Sequence, residues 1–192
     1  MPRIKTLYFA TGNSAKLREV ETILHGLPLV IVQVNAKGRE IQSDLLEEVA
    51  KESAQTAANR LKIPLFVEDS GLFIDALNGF PGPYTSYVFR TIGIQGLLSL
   101  MERATCRMAV FRSVVAFCRP GEKPTCFYGE AFGKIASSAR GAQGFGFDPI
   151  FEPDGGGSLT FAEMTISQKS QLSHRAKAVK AFAKWFLELN ST

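Results

Sequence analysis

Apolar and polar positions follow two periods along this chain, and each change of period marks an element. Ile4 to Ala10 is short, apolar and β-prone, and Thr11-Gly12-Asn13 stops it. That predicts a buried strand and a tight turn. From Ser14 the period lengthens: Leu17, Val20 and Leu24 fall on one face of a helix. Residues 29–34 read as a second strand. Asp44-x-x-Glu47 reads as a capping box, and Leu46, Val49, Ala50, Ser53, Ala57 and Leu61 keep helical spacing to about Leu61. Pro64 to Val67 predicts a third strand that ends at Glu68-Asp69-Ser70-Gly71, and the glycines and prolines of 79–83 predict an irregular loop over 72–83. Residues 106–118 and 126–136 predict an antiparallel hairpin around Pro120-Gly121. Gly141, Gly144 and Gly146 break the chain before Pro149-Ile150-Phe151, and Gly155-Gly156-Gly157 is a further loop. Beyond Ser173, Val179, Phe182, Ala183 and Phe186 mark a final amphipathic helix. Helices alternating with strands, plus one hairpin, give an α/β fold with a mixed sheet, read as one domain over 1–192.

Composition narrows the class. The 192 residues suit one domain with a real core. With 45% hydrophobic and 21% charged residues, global disorder is excluded. The net charge of +4 suits a polyanionic ligand, but no run of five or six Lys/Arg forms a nucleic-acid tail. Cys106, Cys118 and Cys126 are odd in number and lack C-x-x-C spacing, which argues against a disulfide framework or a zinc site. No apolar run approaches the roughly 20 residues of a membrane span. The expectation is a cytoplasmic protein with no membrane and no nucleic-acid partner.

Four places carry candidate chemistry, and each also has an ordinary structural reading. Thr11-Gly12-Asn13-x-x-Lys16 joins strand to helix, where backbone N–H groups attract phosphate. Lys16 opposes the helix dipole unless an anion compensates it. The plain alternative is a turn with Asn13 or Ser14 as N-cap. Glu68-Asp69-Ser70-Gly71 sets two carboxylates after an apolar strand, and strand alternation turns them to different sides. One suits Mg²⁺ while the other activates water, with Glu40 a second acid; the alternative is a solvated turn. Phe145-Gly146-Phe147-Asp148-Pro149 offers rings to stack on a base, or two core phenylalanines. In Lys169-x-x-x-Ser173-His174-Arg175, Ser173 suits an N-cap, while two basic groups occupy a helix start that disfavours them. Three donors there point to an acceptor-rich ligand, or to a solvated helix start.

Together these segments resemble one known family. Thr11-Gly12-Asn13-x-x-Lys16-x-x-Glu19, Val67-Glu68-Asp69-Ser70-Gly71, Pro81-Gly82-Pro83-Tyr84, Phe145-Gly146-Phe147-Asp148-Pro149-Ile150-Phe151 and Ser173-His174-Arg175 occur in the order of the inosine triphosphate pyrophosphatase, or Ham1-like, family. The likeness runs from residue 6 to about residue 187. It implies an elongated α/β fold, a central mixed sheet flanked by helices, and two lobes with the substrate in the cleft between them. It implies a homodimer, Mg²⁺ as cofactor, and hydrolysis of ITP, dITP and XTP between the α- and β-phosphates. By position it implies that Asn13 and Lys16, with Thr11 and Gly12, hold the triphosphate. Glu40 and Asp69 would serve Mg²⁺ and water, and Ser70 would lie beside the substrate. Phe145, Gly146, Phe147 and Asp148 would frame the base, and Lys169, His174 and Arg175 would read it.

The expected chemistry is a single in-line attack by water activated by Asp69, with Lys16 stabilising the phosphates. Two rivals stand beside it: a basic nucleic-acid-binding module without activity, and a Maf-like pyrophosphatase acting on pyrimidine or modified nucleotides.

Overall fold

The computed structural model describes residues 4–36 and 41–189. Among the described residues seven strands form one mixed sheet, with β4 (Pro81–Gly82) paired to β3 (Leu65–Ile74) and the rest in the order β2 (Leu29–Val34), β1 (Lys5–Ala10), β3, β5 (Met108–Cys118), β6 (Thr125–Ile135), β7 (Phe151–Pro153). Strands β1, β2 and β3 run parallel. Strands β5, β6 and β7 continue antiparallel from β3. The hairpin read from Pro120-Gly121 is the β5–β6 pair.

Helix α1 (Ser14–Leu24) and the terminal helix α6 (His174–Leu189) cover one face, burying Val20, Leu24, Val179 and Phe182 against Phe9, Phe66 and Val115. Helix α2 (Leu46–Leu61) covers the other, with Ala50, Ala54 and Ala57 against Leu65, Val67 and Val114. A further core lies at the far end of the long strands, where Leu72, Phe111, Phe147, Phe151 and Phe161 meet helices α3 (Thr85–Thr91) and α4 (Gly93–Leu100). The short helix α5 (Ile166–Leu172) leads into α6.

Three expectations are corrected. Helix α2 is not capped by Asp44 and Glu47. Its N-cap is Leu45, without a side-chain cap; the Ser43 hydroxyl accepts the Leu45 N–H at 3.1 Å and donates to Glu48 at 2.6 Å. Glu47 instead pairs with Lys51 one turn on. The third strand does not stop at Glu68: all ten residues of β3 pair with β5, so the ladder carries Glu68-Asp69-Ser70-Gly71 through its middle. Residues 72–83 are not wholly irregular. β3 runs to Ile74, a 3₁₀ turn spans Asp75–Leu77, and β4 (Pro81–Gly82) returns along Leu72 and Phe73. Gly71 permits that return, since a Cβ there would lie 2.4 Å from the Gly82 oxygen.

The topology opens the cleft. β1 and β3 share only the Phe9–Phe66 register pair, after which β1 turns away at Thr11 while β3 runs on. Diverging neighbours leave a crevice beyond the end of a parallel strand, where ligands of open α/β sheets bind.

Candidate active site

The crevice has a volume of about 900 Å³. Its lip is the β1–α1 turn. Asn13 is the N-cap of α1, its Oδ1 accepting the N–H groups of Ala15 at 2.9 Å and Lys16 at 3.2 Å, and Thr11 Oγ1 accepts the Asn13 N–H at 3.1 Å. The ordinary capping reading is therefore present, and the turn still presents Gly12 to the cleft with nothing within 4 Å of a Cβ position. The anion that Lys16 requires is internal. Its ammonium donates to the Glu68 carbonyl at 2.9 Å and lies 3.0 Å from Glu68 Oε2.

Strand β3 forms the wall. Its alternation sends Glu68 towards α6 and Asp69 towards the opposite side, as the sequence pattern requires. The Glu68 side chain is fully buried, accepting from Ser113 Oγ at 2.6 Å and pairing with Arg175 Nε at 3.1 Å. Burial alone would raise its pKa; the Arg175 and Lys16 charges outweigh burial and hold the carboxyl well below the ordinary range. Asp69 is half-buried, lines the cleft, and accepts the Ser70 N–H at 2.9 Å.

Beneath the wall lies a buried chain of alternating charge. Arg175 binds Glu19 at 2.5 Å and donates to Ser70 Oγ at 3.0 Å. Glu19 also pairs with Lys169 at 2.6 Å, and Lys169 with Asp148 at 2.6 Å. Asp148 in turn accepts the Phe145 N–H at 2.7 Å. Burial would raise the Glu19 pKa, and Arg175 and Lys169 reverse that. His174 is buried and stacked on Phe111 at 4.7 Å; burial, then the Arg175 charge, pushes its pKa well below 6.5, so the ring is neutral.

The sequence-named residues thus divide. Thr11, Gly12, Asn13, Lys16, Asp69, Ser70, Phe145 and Gly146 line the cleft together. Asp148, Lys169, His174 and Arg175 lie buried behind it. Phe145 covers this layer, with Lys169 Nζ 5.2 Å and Arg175 Cζ 5.3 Å from its ring centroid. Phe147 is only 1% exposed and packs edge-on against Phe89 of the cleft wall, so its support of that wall comes from behind. Glu40 lies outside the described residues.

The arrangement offers a phosphate-sized lip, a carboxylate in the wall and an aromatic at one end. A family model described as the Ham1 family matches residues 7–185. The chain belongs to the Ham1 family. Among relatives of this family, the dITP/XTP pyrophosphatase of Methanopyrus kandleri is 51% identical, covering 93% of this chain and 94% of that protein. The dITP/XTP pyrophosphatase of Pyrococcus horikoshii is 48% identical, over 93% and 95%. The solved structure of the Staphylococcus aureus Ham1 protein superposes with a TM-score of 0.83 at 28% identity, over 97% of this chain and all (100%) of that one. A HAM1 protein from Coxiella burnetii gives 0.84 at 30% identity, over 95% and 98%.

Ham1-like motifs did not mark every group in the site. Glu19 closes the first motif, but the motif alone does not show its part in the chain of charges. The available signal was a carboxylate beside the apolar stripe Leu17, Val20 and Leu24. Beyond Tyr84 of the Pro81–Tyr84 motif, the far wall with Tyr87, Phe89 and Arg90 lies on a seven-residue helix that no apolar repeat marks.

Proposed function

We propose that this Ham1-family protein hydrolyses the triphosphates of deaminated purines (ITP, dITP and XTP) at the α–β bond, giving the nucleoside monophosphate and pyrophosphate. The observation that carries the reading is the presence of the Thr11–Lys16 lip and the Asp69 carboxylate in one cleft of about 900 Å³. Relatives named dITP/XTP pyrophosphatase support the substrate class.

Asp69 serves as the base that takes a proton from the water attacking the α-phosphorus. Lys16, anchored from behind by Glu68, places its ammonium against the phosphates. Mg²⁺ fits the donor set. A hard ion held mainly by phosphate oxygens and water needs only one or two carboxylates, and Asp69 presents one to the cleft. Asp69 would supply one and Glu40 the other. When bound, Mg²⁺ neutralises charge building on the departing pyrophosphate.

The base stacks on Phe145, whose ring lies over the buried cations Lys169 and Arg175; these two and His174, assigned to base reading by the family likeness, act on the base from behind that ring. The protein acts as a homodimer: Met108, Tyr128 and Phe132 share one face of the β5–β6 ladder and are 47%, 54% and 54% exposed, a surface a second copy would cover. Three unpaired cysteines suit a cytoplasmic setting.

The test is product analysis by anion-exchange chromatography after incubation with ITP, XTP, GTP, ATP and a pyrimidine triphosphate, with and without Mg²⁺. IMP and pyrophosphate should form from ITP, require Mg²⁺, and form far more slowly from ATP. IDP and phosphate would overturn the reading. Asp69→Asn should lower kcat about 10²–10⁴-fold, far more than it weakens nucleotide binding.

A further inference from the structure

Two basic side chains among the described residues line the cleft: Lys16 and Arg90. They stand on different elements, Lys16 on α1 and Arg90 on α3. Lys16 rises from α1, already in contact with the Glu68 carboxylate, so part of its field is cancelled before any ligand arrives. Arg90 rises from α3, is exposed, and enters no ion pair among the described residues; its Nε makes one long bond of 3.4 Å to the Ser86 carbonyl. Helix α3 is tied to the strand that bears Asp69. Thr85 Oγ1 accepts the Leu72 N–H at 2.7 Å and donates to the Gly82 carbonyl at 2.7 Å. Arg90 is therefore held on a scaffold that joins β3 three positions beyond the carboxylate in the wall.

Its direction on the helix separates it from the aromatic end of the cleft. Val88 points into the core, and Phe89 packs on Phe147, next to the Phe145 loop. One residue along an α-helix turns the side chain by about 100°. Arg90 is thus rotated away from the Phe145 end. A guanidinium presents a rigid fork of N–H donors that matches phosphate oxygens in pairs. The charges agree: a nucleoside triphosphate with one divalent cation retains about two negative charges, and one partly compensated lysine does not balance them.

We propose that Arg90 is a phosphate-binding residue that grips the pyrophosphate portion of the substrate from α3. This rests on the nucleotide-hydrolase reading and assigns the far wall its part in it. The guanidinium meets the leaving pyrophosphate and makes no contact with the base.

The experiment measures binding, independently of turnover. Isothermal titration of wild type, Arg90→Gln and Arg90→Lys with inorganic pyrophosphate in Mg²⁺, and separately with IMP, is followed by steady-state kinetics on ITP and ATP. Arg90→Gln should weaken pyrophosphate binding about tenfold to a hundredfold, the loss of a charge-assisted pair of bonds. It should raise the ITP KM, leave IMP affinity unchanged, and leave the ITP/ATP ratio of kcat/KM unchanged. Arg90→Lys should recover part of the pyrophosphate affinity. Pyrophosphate binding that is equal in wild type and Arg90→Gln, or absent from wild type, overturns the proposal. So does a change in IMP affinity or in the ITP/ATP ratio, which would move Arg90 to the base. Wild type that binds pyrophosphate through Arg90 yet releases no IMP from ITP would instead sink the proposed reaction and leave this site standing.

Discussion

Replacing Glu68 by Gln tests the buried charges most directly. The side chain is fully buried, and its Oε2 sits 3.0 Å from Lys16 Nζ and 3.1 Å from Arg175 Nε. Gln preserves volume but leaves Arg175, 2% exposed, with Glu19 as its remaining carboxylate. Breaking one side of a buried pair costs about 3–5 kcal/mol. Lys16 is 17% exposed and can turn towards water, so the expected loss lies at the lower end, about 3 kcal/mol. Glu130→Gln is the control. The Arg112–Glu130 pair is as short, at 2.8 Å, but 47% and 44% exposed, and its loss should cost roughly 0–1 kcal/mol. Urea unfolding at pH 7, followed by Trp185 fluorescence, reads the difference. At an m-value of about 2 kcal/mol/M the Glu68→Gln midpoint should fall by about 1.5 M. The pH dependence has a definite sign. A carboxyl held below its ordinary pKa of 4.5 contributes fully above that value and loses its contribution as the pH falls below it, so the gap between wild type and variant narrows there. Equal midpoint shifts for the two variants would refute the claim that burial, not pairing distance, decides the energy.

Phe145→Ala removes the ring that spans Lys169 and Arg175; the ITP KM should rise about 5- to 100-fold with a smaller change in kcat, and an unchanged KM would place the base elsewhere. Gly144→Ala sets a Cβ 2.1 Å from Asp148 Oδ2 at a φ of +73°, so thermal unfolding should show a loss of more than about 1 kcal/mol, and an unshifted Tm would contradict that close approach. His174 is buried neutral, so its unfolded form takes up a proton first: its stabilisation is complete above pH 6.5 and falls by about 1.4 kcal/mol per pH unit as the pH drops below that. His174→Phe, which keeps a ring against Phe111, should remove this slope from urea unfolding between pH 7 and pH 5; an unchanged slope would assign it to another group.

Periodicity was enough for the elements that bury one apolar face. Strands β1, β2, β5 and β6 and helices α1, α2 and α6 all follow the apolar spacing to within a few residues. What periodicity missed has a physical cause in each case. Glu68 and Asp69 lie mid-strand because β5 supplies a ten-residue ladder, a long-range pairing that polar residues locally conceal. Helices α3 and α5 have seven residues each, too few for a repeat to declare itself. Phe145 and Phe147 are two residues apart with identical side chains, and only tertiary packing sends one to the cleft and the other into the core.

The same distinction applies to the basic residues at the two helix starts. Lys16 and Arg175 oppose the dipoles of α1 and α6, and a compensating anion is required by that placement alone. In the structure that anion is Glu68 for both, and the connected groups alternate in sign: Asp148, Lys169, Glu19, Arg175, Glu68, Lys16. Three carboxylates and three cations sum to zero, which is the least costly way to keep charge out of water. A neutral chain adds little net field at the cleft. Its effect is positional: one end fixes the Phe145 backbone through Asp148, and the other fixes the Lys16 ammonium. The field felt in the cleft is then set by the groups facing it, Asp69, the partly exposed Lys16 and Arg90. A second carboxylate facing the cleft beside Asp69 would add to the repulsion of a triphosphate, and pairing Glu68 internally with Lys16 and Arg175 removes that charge from the wall.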